Sequence, residues 1–165
     1  MEIEKKYRVK QLPSDLEQYE KKELEQGYLC TNPIVRIRRS NEDYILTYKS
    51  KFGLEDKRDK NLCIANEIEV MLGQEGYEHL RTKVDGQLIT KTRYCIPLGE
   101  GLTAELDLFK GQLAGLYFVE VEFPDEETAE RFTPPDWFGT DVSKDRRFKN
   151  NYLSTIDGYE KSMFD

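Results

Sequence analysis

Residues 104–123 read AELDLFKGQLAGLYFVEVEF. Two runs in this stretch alternate an acid with an apolar residue: Glu105 and Asp107 flank Leu106, and Glu120 and Glu122 flank Val121. In an extended strand alternate side chains face the same way, so each run puts two carboxylates on one face and aliphatic groups on the other. Gly111 and Gly115 lie between the runs and supply the turn. The stretch therefore predicts two successive strands, each with a purely acidic face.

The same spacing recurs along the chain. EIEKKY (2–7) places Glu2, Glu4 and Lys6 two apart around Ile3. Arg36 and Arg38 lie in VRIRRS (35–40), Glu67 and Glu69 in NEIEV (66–70), and Lys91 and Arg93 in ITKTRY (89–94). Lys49 in ILTYKS (45–50) adds a single positive charge. The residue between two charges is apolar at Ile37, Ile68, Leu106 and Val121; Thr92 is the exception.

One such doublet is compatible with the wet face of a sheet packed on its other side. The set is harder to explain that way. A solvated face mixes Ser, Thr, Asn and Gln with charge, but here each of the five doublets after EIEKKY is purely acidic or purely basic. A sheet curled with these faces inward closes into a barrel. Its interior would hold eight acids (Glu2, Glu4, Glu67, Glu69, Glu105, Asp107, Glu120, Glu122) and six bases (Lys6, Arg36, Arg38, Lys49, Lys91, Arg93). Unpaired buried charges cost roughly several kcal/mol each, so the interior needs water, metal ions and a charged ligand.

The residue types suggest which ligand. Clustered carboxylates without His or Cys favour Mg²⁺ or Mn²⁺ over zinc, and His79 is the sole histidine. Clustered Arg and Lys favour phosphate oxygens, with arginine able to bind through a two-pronged fork. Together they describe a polyanion held by basic strands and metal ions, an arrangement suited to phosphoryl transfer. The chain has no P-loop and no Gly-rich dinucleotide motif, so side chains must build the phosphate site.

Composition is consistent with this reading. The 165 residues fit one domain, 1–165, and 38% apolar with 12% aromatic residues indicates a folded chain despite 35% charge. A net charge of -7 argues against general nucleic-acid binding. Cys30, Cys63 and Cys95 are widely spaced with no CxxC pair, which reads as free thiols in a reducing compartment. There is no apolar run near 18 residues and no signal-peptide pattern, so a cytoplasmic location is expected.

The predicted elements alternate as follows. Residues 3–9 form a strand. Residues 13–27, PSDLEQYEKKELEQG, carry Leu16, Tyr19 and Leu24 near helical spacing, with Ser14 or Asp15 as cap and Gly27 as stop, and predict a helix. Strands follow at 28–32, 34–40 and 43–50, with a hairpin turn at 41–43, then a charged loop at 53–61. Next come a strand at 63–72, a short helix near 73–83, and strands at 87–98, 101–111 and 113–123. A helix with an acidic first turn spans 125–132. Residues 143–159 predict a final helix with Phe148, Tyr152 and Ile156 on one stripe. The layout is α+β: an antiparallel eight-stranded β-barrel with flanking helices.

These residues resemble those of the CYTH superfamily, the triphosphate tunnel metalloenzymes. The likeness begins at EIEKKY, an ExExK signature, and runs through VRIRRS, LTYKS, NEIEV, ITKTRY, the 104–123 stretch, PPDWFG (134–139) and VSKDRRFKNNYL (142–153). It implies an eight-stranded tunnel with a charged bore and Mg²⁺- or Mn²⁺-dependent chemistry on triphosphates. It implies Glu2, Glu4 and Glu122 as ligands of one metal, and Glu67, Glu69 and Glu120 as ligands of a second metal with its attacking water. Lys6, Arg36, Arg38, Lys49, Lys91 and Arg93 would grip phosphates, with Lys6 also in the catalytic set. Glu105 and Asp107 would support the acidic tunnel. From the tail, Arg147 and Lys149 are candidates to reach the ligand. Trp137 and Phe138 read as packing, His79 as a surface residue, and Tyr28 as part of the tunnel mouth.

The function these features favour is hydrolysis of inorganic triphosphate, as in the small bacterial inorganic triphosphatases, with weaker nucleoside triphosphatase activity. Thiamine triphosphatase and adenylate cyclase are alternatives on the same tunnel. Two other classes remain: a non-catalytic polyphosphate- or nucleotide-binding module, and a structural β-sandwich with a filled apolar interior and exposed Glu2, Glu69 and Glu122. The expected partner is a small-molecule triphosphate, with neither nucleic acid nor membrane, and homodimer formation is left open.

Overall fold

The computed structural model describes residues 1–54, 62–156 and Gly158; most of the charged loop expected at 53–61 lies outside them. Among the described residues nine strands are present: β1 Glu2–Val9, β2 Glu20–Thr31, β3 Ile34–Ser40, β4 Asp43–Ser50, β5 Cys63–Leu72, β6 Asp85–Gly99, β7 Leu102–Phe109, β8 Tyr117–Glu122 and β9 Phe138–Asp141. Helices are short: α1 Gln74–Arg81, α2 Glu126–Arg131 and α3 Asn150–Leu153.

The first eight strands close into an antiparallel barrel. Its order runs β5, β4, β3, β2, β6, β7, β8, β1, and β1 returns to β5 through Glu2↔Ala65, Ile3↔Ile64 and Glu4↔Cys63. The C-terminal half of β1 turns from β5 to β9, through Tyr7↔Asp141 and Val9↔Phe138. One edge of β1 thus serves two partners, and β5 departs where β9 arrives.

The barrel is inside-out relative to an ordinary one, as the alternation requires. Ile3, Tyr7, Tyr94, Ile96, Leu106, Val119 and Val121 form a core with Ala129 of α2 and with Phe123 and Phe138. The side chains alternating with them, Glu4, Lys6, Arg93, Glu105, Glu120 and Glu122, line an internal cavity. A second cluster fills one end of the barrel with Ile89, Phe109, Leu113, Phe118, Phe148 and Leu153. This architecture rules out the β-sandwich.

Two expected helices are corrected. Residues 13–27 hold only a single 3-10 turn at Leu16–Gln18, and β2 begins at Glu20. The segment is rich in good helix formers, but β3 and β6 pair with it along both edges, and that pairing outweighs intrinsic preference. Its buried side chains then alternate, Leu24, Gln26, Tyr28. Gly27 is no helix stop: it lies mid-strand, where a Cβ would meet Val84 Cγ1 at 2.7 Å. The tail forms a 3-10 turn at Arg146–Phe148 and the one-turn α3 instead of a long helix. Leu153 takes the fully buried place expected of Tyr152, which is 38% exposed.

The short helix at α1 and the acidic-first-turn helix at α2 are as expected; Asp125 Oδ1 caps α2 by accepting from Thr128 N at 2.7 Å. The turn after β6 is built on Gly99 and Gly101, both with positive φ.

Candidate triphosphate and metal site

The bore contains a cavity of about 290 Å³. It is lined by Glu2, Glu4, Lys6, Arg36, Arg38, Lys49, Glu67, Glu69, Arg93, Glu105, Glu120, Glu122 and Lys149 among the residues expected at the site. Tyr28, Thr31, Pro33, Lys51 and Asn151 are among the other residues of its wall. A second, more open cavity of about 920 Å³ shares Glu105 and Glu122 with it and reaches the surface beside Tyr19, Lys22 and Pro97.

Carboxylate oxygens of Glu2, Glu4 and Glu122 all lie within 4.8 Å of one another. Register explains this: Glu4 is opposite Glu122 on β8, and Glu2 is two residues along the same face of β1. Burial raises the Glu2 carboxyl above its usual range, with the neighbouring Glu67 adding to the rise. Glu4 is pushed well above it, first by burial and then by the Glu120 charge. Glu122 is pushed up to about 7 by burial and by Glu2 and Glu105. Three acids that resist ionising together are the donor set a hard divalent cation fits, because the cation supplies the missing positive charge.

The structure does not draw Glu67, Glu69 and Glu120 into a comparable group. Among the described residues the trio above is the one such carboxylate cluster. Glu67 pairs with Lys49 at 3.4 Å, Glu69 lies 3.9 Å from Arg36, and Glu120 lies 3.6 Å from Lys6. Burial works against the Glu120 charge, but Lys6, Arg93 and Lys91 outweigh it and hold this carboxyl well below its ordinary range.

The cations fall into distinct settings. Arg36 and Arg38 enter from β3. Arg38 Nε and Nη2 both donate to Gln26 Oε1, at 2.9 and 2.6 Å. Burial beside Arg36 and Arg93 pulls the Arg38 guanidinium down to about 9. Arg36 Nη2 donates to Thr47 Oγ1 at 3.2 Å, while its buried Nε and Gln26 Nε2 have no hydrogen-bond partner. Lys49 also pairs with Glu2; burial opposes its charge, but Glu4 and Glu2 raise it overall. Lys6 Nζ donates to the Phe148 carbonyl at 2.7 Å and sits 4.3 Å from the Phe118 ring centroid. The tail closes this side of the bore: Lys149 Nζ lies 3.4 Å from Cys63 Sγ, and Cys63 donates to the Ser143 carbonyl at 2.9 Å.

Two expected phosphate ligands lie elsewhere. Lys91 is fully buried beneath the bore, 2.7 Å from Asp107 Oδ2 and 5.2 Å from the Phe109 ring centroid. Burial pulls it down to about 7, against the opposing pull of Asp107. Asp107 is equally buried and does not line the cavity. Arg147 lines a separate outer groove with Arg8, Thr140 and Lys144, and donates from Nε and Nη2 to Asp145 at 3.0 and 2.7 Å. His79 is exposed on α1, and Trp137 and Phe138 pack edge to face at 4.5 Å.

Sequence reasoning missed Gln26, Lys51, Cys63 and Ser143. Gln26 was hidden by the helical reading of β2, and the alternation Leu24, Gln26, Tyr28 is the signal that would have exposed it. Cys63 could have been found from the register, since it stands opposite Glu4. Nothing local marks Ser143, whose Oγ accepts from Lys6 N at 2.9 Å across the whole chain.

Known proteins resemble this chain in sequence and fold. An inorganic triphosphatase of Nitrosomonas europaea is 36% identical over 156 residues, covering 93% of this chain and 96% of that one. An inorganic triphosphatase of Acetivibrio thermocellus is 34% identical over 131 residues, covering 78% and 77%. A crystal structure of an inorganic triphosphatase superposes with a TM-score of 0.67 at 34% identity, covering 96% of this chain and 97% of that one. The CYTH domain model matches residues 1–149. The match spans every barrel strand and the tail through Lys149, and the chain belongs to the CYTH domain family.

Proposed function

We propose that this chain hydrolyses inorganic triphosphate with the help of a divalent cation, Mg²⁺ or Mn²⁺. The observation that carries this reading is the pairing, within one cavity, of the like-charged Glu2–Glu4–Glu122 trio with the Arg36, Arg38, Lys49, Lys6 and Arg93 side chains. The unpartnered Arg36 Nε is a buried donor suited to an anionic oxygen. Residues of the two inorganic triphosphatases match this chain over most of its length, which supports the same substrate class.

In this reading Glu2, Glu4 and Glu122 hold the cation. When bound there, it neutralises phosphate charge and lowers the pKa of a coordinated water. Arg36 and Arg38 present fork-shaped donors to phosphate oxygens. Lys6, fixed between Glu120 and the Phe148 carbonyl, offers a positive charge from the closed end of the bore. Glu120, held ionised, acts on the substrate through Lys6 and is therefore a positioning residue. Glu67 orients Lys49, and Glu69 stands against Arg36. Water attacks a terminal phosphorus, the P–O bond of the anhydride breaks, and orthophosphate and pyrophosphate leave.

A product assay on untagged protein tests the reading, because β1 begins at Glu2 and an added N-terminal segment would crowd the trio. Tripolyphosphate, ATP and thiamine triphosphate are each supplied with Mg²⁺, Mn²⁺ or EDTA. Orthophosphate from tripolyphosphate, abolished by EDTA, is the expected result. Pyrophosphate and cyclic AMP from ATP would make the protein a cyclase. Tight triphosphate binding with no turnover would make it a binding module.

A further inference from the structure

Arg93 enters the bore with every nitrogen of its guanidinium already engaged. Nε donates to Asp107 Oδ1 at 2.7 Å, Nη2 to Asp107 Oδ2 at 2.9 Å, and Nη1 to Glu105 Oε2 at 2.9 Å. These bonds take three of its five N–H donors, and Glu105 holds the Nη1 that would complete an Nη1–Nη2 fork toward a phosphate, so releasing Glu105 frees that edge fully. The two partners differ sharply. Asp107 binds in bidentate fashion, is fully buried, and also neutralises Lys91. Stripping it of Arg93 would leave a buried charge poorly paired. Glu105 binds through one nitrogen, its side chain is 23% exposed, and it stands where the two cavities meet. Once released, it is solvated there.

We infer that Arg93 is a latch: Asp107 is its fixed positioning partner, and Glu105 is an exchangeable partner that an incoming triphosphate displaces. The inference rests on the triphosphate reading and adds a specificity device to it. A ligand must outcompete a carboxylate to reach Arg93, so a polyanion succeeds where a single orthophosphate competes poorly. When the products carry less charge per molecule than the substrate, Glu105 re-engages Arg93 and favours their release. Asp107 meanwhile keeps the guanidinium plane fixed, because a bidentate pair constrains orientation as well as distance.

The test is a double-mutant cycle read as KM for tripolyphosphate and as the inhibition constant for pyrophosphate. Glu105→Gln removes the competitor and is expected to lower both constants, by about tenfold for one charge-assisted hydrogen bond. Asp107→Asn loosens the fixed partner and is expected to raise KM. General loss of negative charge would also tighten binding, so Glu105→Gln is repeated in an Arg93→Ala background. The latch requires its gain to vanish there. An equal gain with and without Arg93, or a rise in KM for Glu105→Gln, overturns it. If Asp107→Asn does not fold, the Glu105–Arg93 cycle decides alone. A wild type that neither binds nor hydrolyses tripolyphosphate removes the triphosphate reading along with the latch, whereas an active wild type with no Glu105–Arg93 coupling removes only the latch.

Discussion

Two groups of charge line the inside of the barrel, one half-buried to exposed and one buried, and they are built on opposite plans. Glu2, Glu4 and Glu122 crowd like charges together, with Lys49 and Lys6 on their flanks, and their carboxyls are raised. Lys91, Asp107 and Arg93 interleave opposite charges at 2.7–2.9 Å, and the Asp107 carboxyl is lowered: burial opposes its charge, but Arg93 and Lys91 outweigh that. The second group balances its charges within the protein, with Lys91 Nζ held by Asp107 through charge at 2.7 Å and not through a hydrogen bond. The first is complete only with a cation from outside. Burial of charge alone therefore does not mark a working site; incomplete neutralisation does.

The sharpest way to break this comparison is to remove one charge from each group. Glu4→Gln should lower metal-dependent orthophosphate release by about 100-fold or more, the scale of losing several kcal/mol of charge stabilisation. Its thermal midpoint should hold or rise, since one of three repelling acids is gone; a metal titration and a melting curve together check this. Asp107→Ala should instead cost roughly 3–5 kcal/mol of stability, the usual penalty for stranding one partner of a buried pair. Urea unfolding measures that, and a loss near zero would mean that Lys91 is neutral without its partner.

Smaller effects sharpen the picture. Arg36→Ala should raise KM for tripolyphosphate by about tenfold through loss of a charge-assisted contact, read from initial rates at saturating metal. The trio also sets a pH dependence. Glu122 holds its proton in the folded state up to about 7, while the unfolded chain releases it near ~4.3. Between those values the folded state binds more protons, so this group's stabilisation is greatest at low pH and is lost as pH rises through about 7. The melting temperature of metal-free wild type should therefore fall relative to Glu122→Gln over that window, and added Mg²⁺ should close the gap. Arg147→Ala, outside the bore, should leave KM unchanged.

Much of this was legible in the sequence because strand alternation ties position to face. Glu105/Asp107, Glu120/Glu122, Arg36/Arg38 and Glu67/Glu69 declared a charged side, and the resemblance that runs from EIEKKY to the tail gave the closed barrel. What alternation cannot give is depth along the bore. Lys91 and Arg93 share a face, yet Arg93 reaches the cavity while Lys91 sits below its floor beside Phe109 and Phe118. Depth also separates Glu67 and Glu69, which share β5, from Glu120 on β8, which stands opposite Lys6 of β1, although all three line the one cavity. β2 was misread because its Glu, Lys and Leu residues suit a helix, and only pairing with β3 and β6 decides otherwise. The tail's role in holding Lys6 and Cys63 depends on contacts across the full chain, which no local pattern encodes.

Calorimetric titration of Mn²⁺ into metal-free wild type, Glu4→Gln and Asp107→Asn, with orthophosphate release measured on the same samples, tests the central claim most directly. The expected result is one cation site in wild type that is lost in Glu4→Gln together with turnover, and retained in Asp107→Asn. Equal Mn²⁺ binding and equal turnover in wild type and Glu4→Gln would contradict the claim that the like-charged trio is the metal seat.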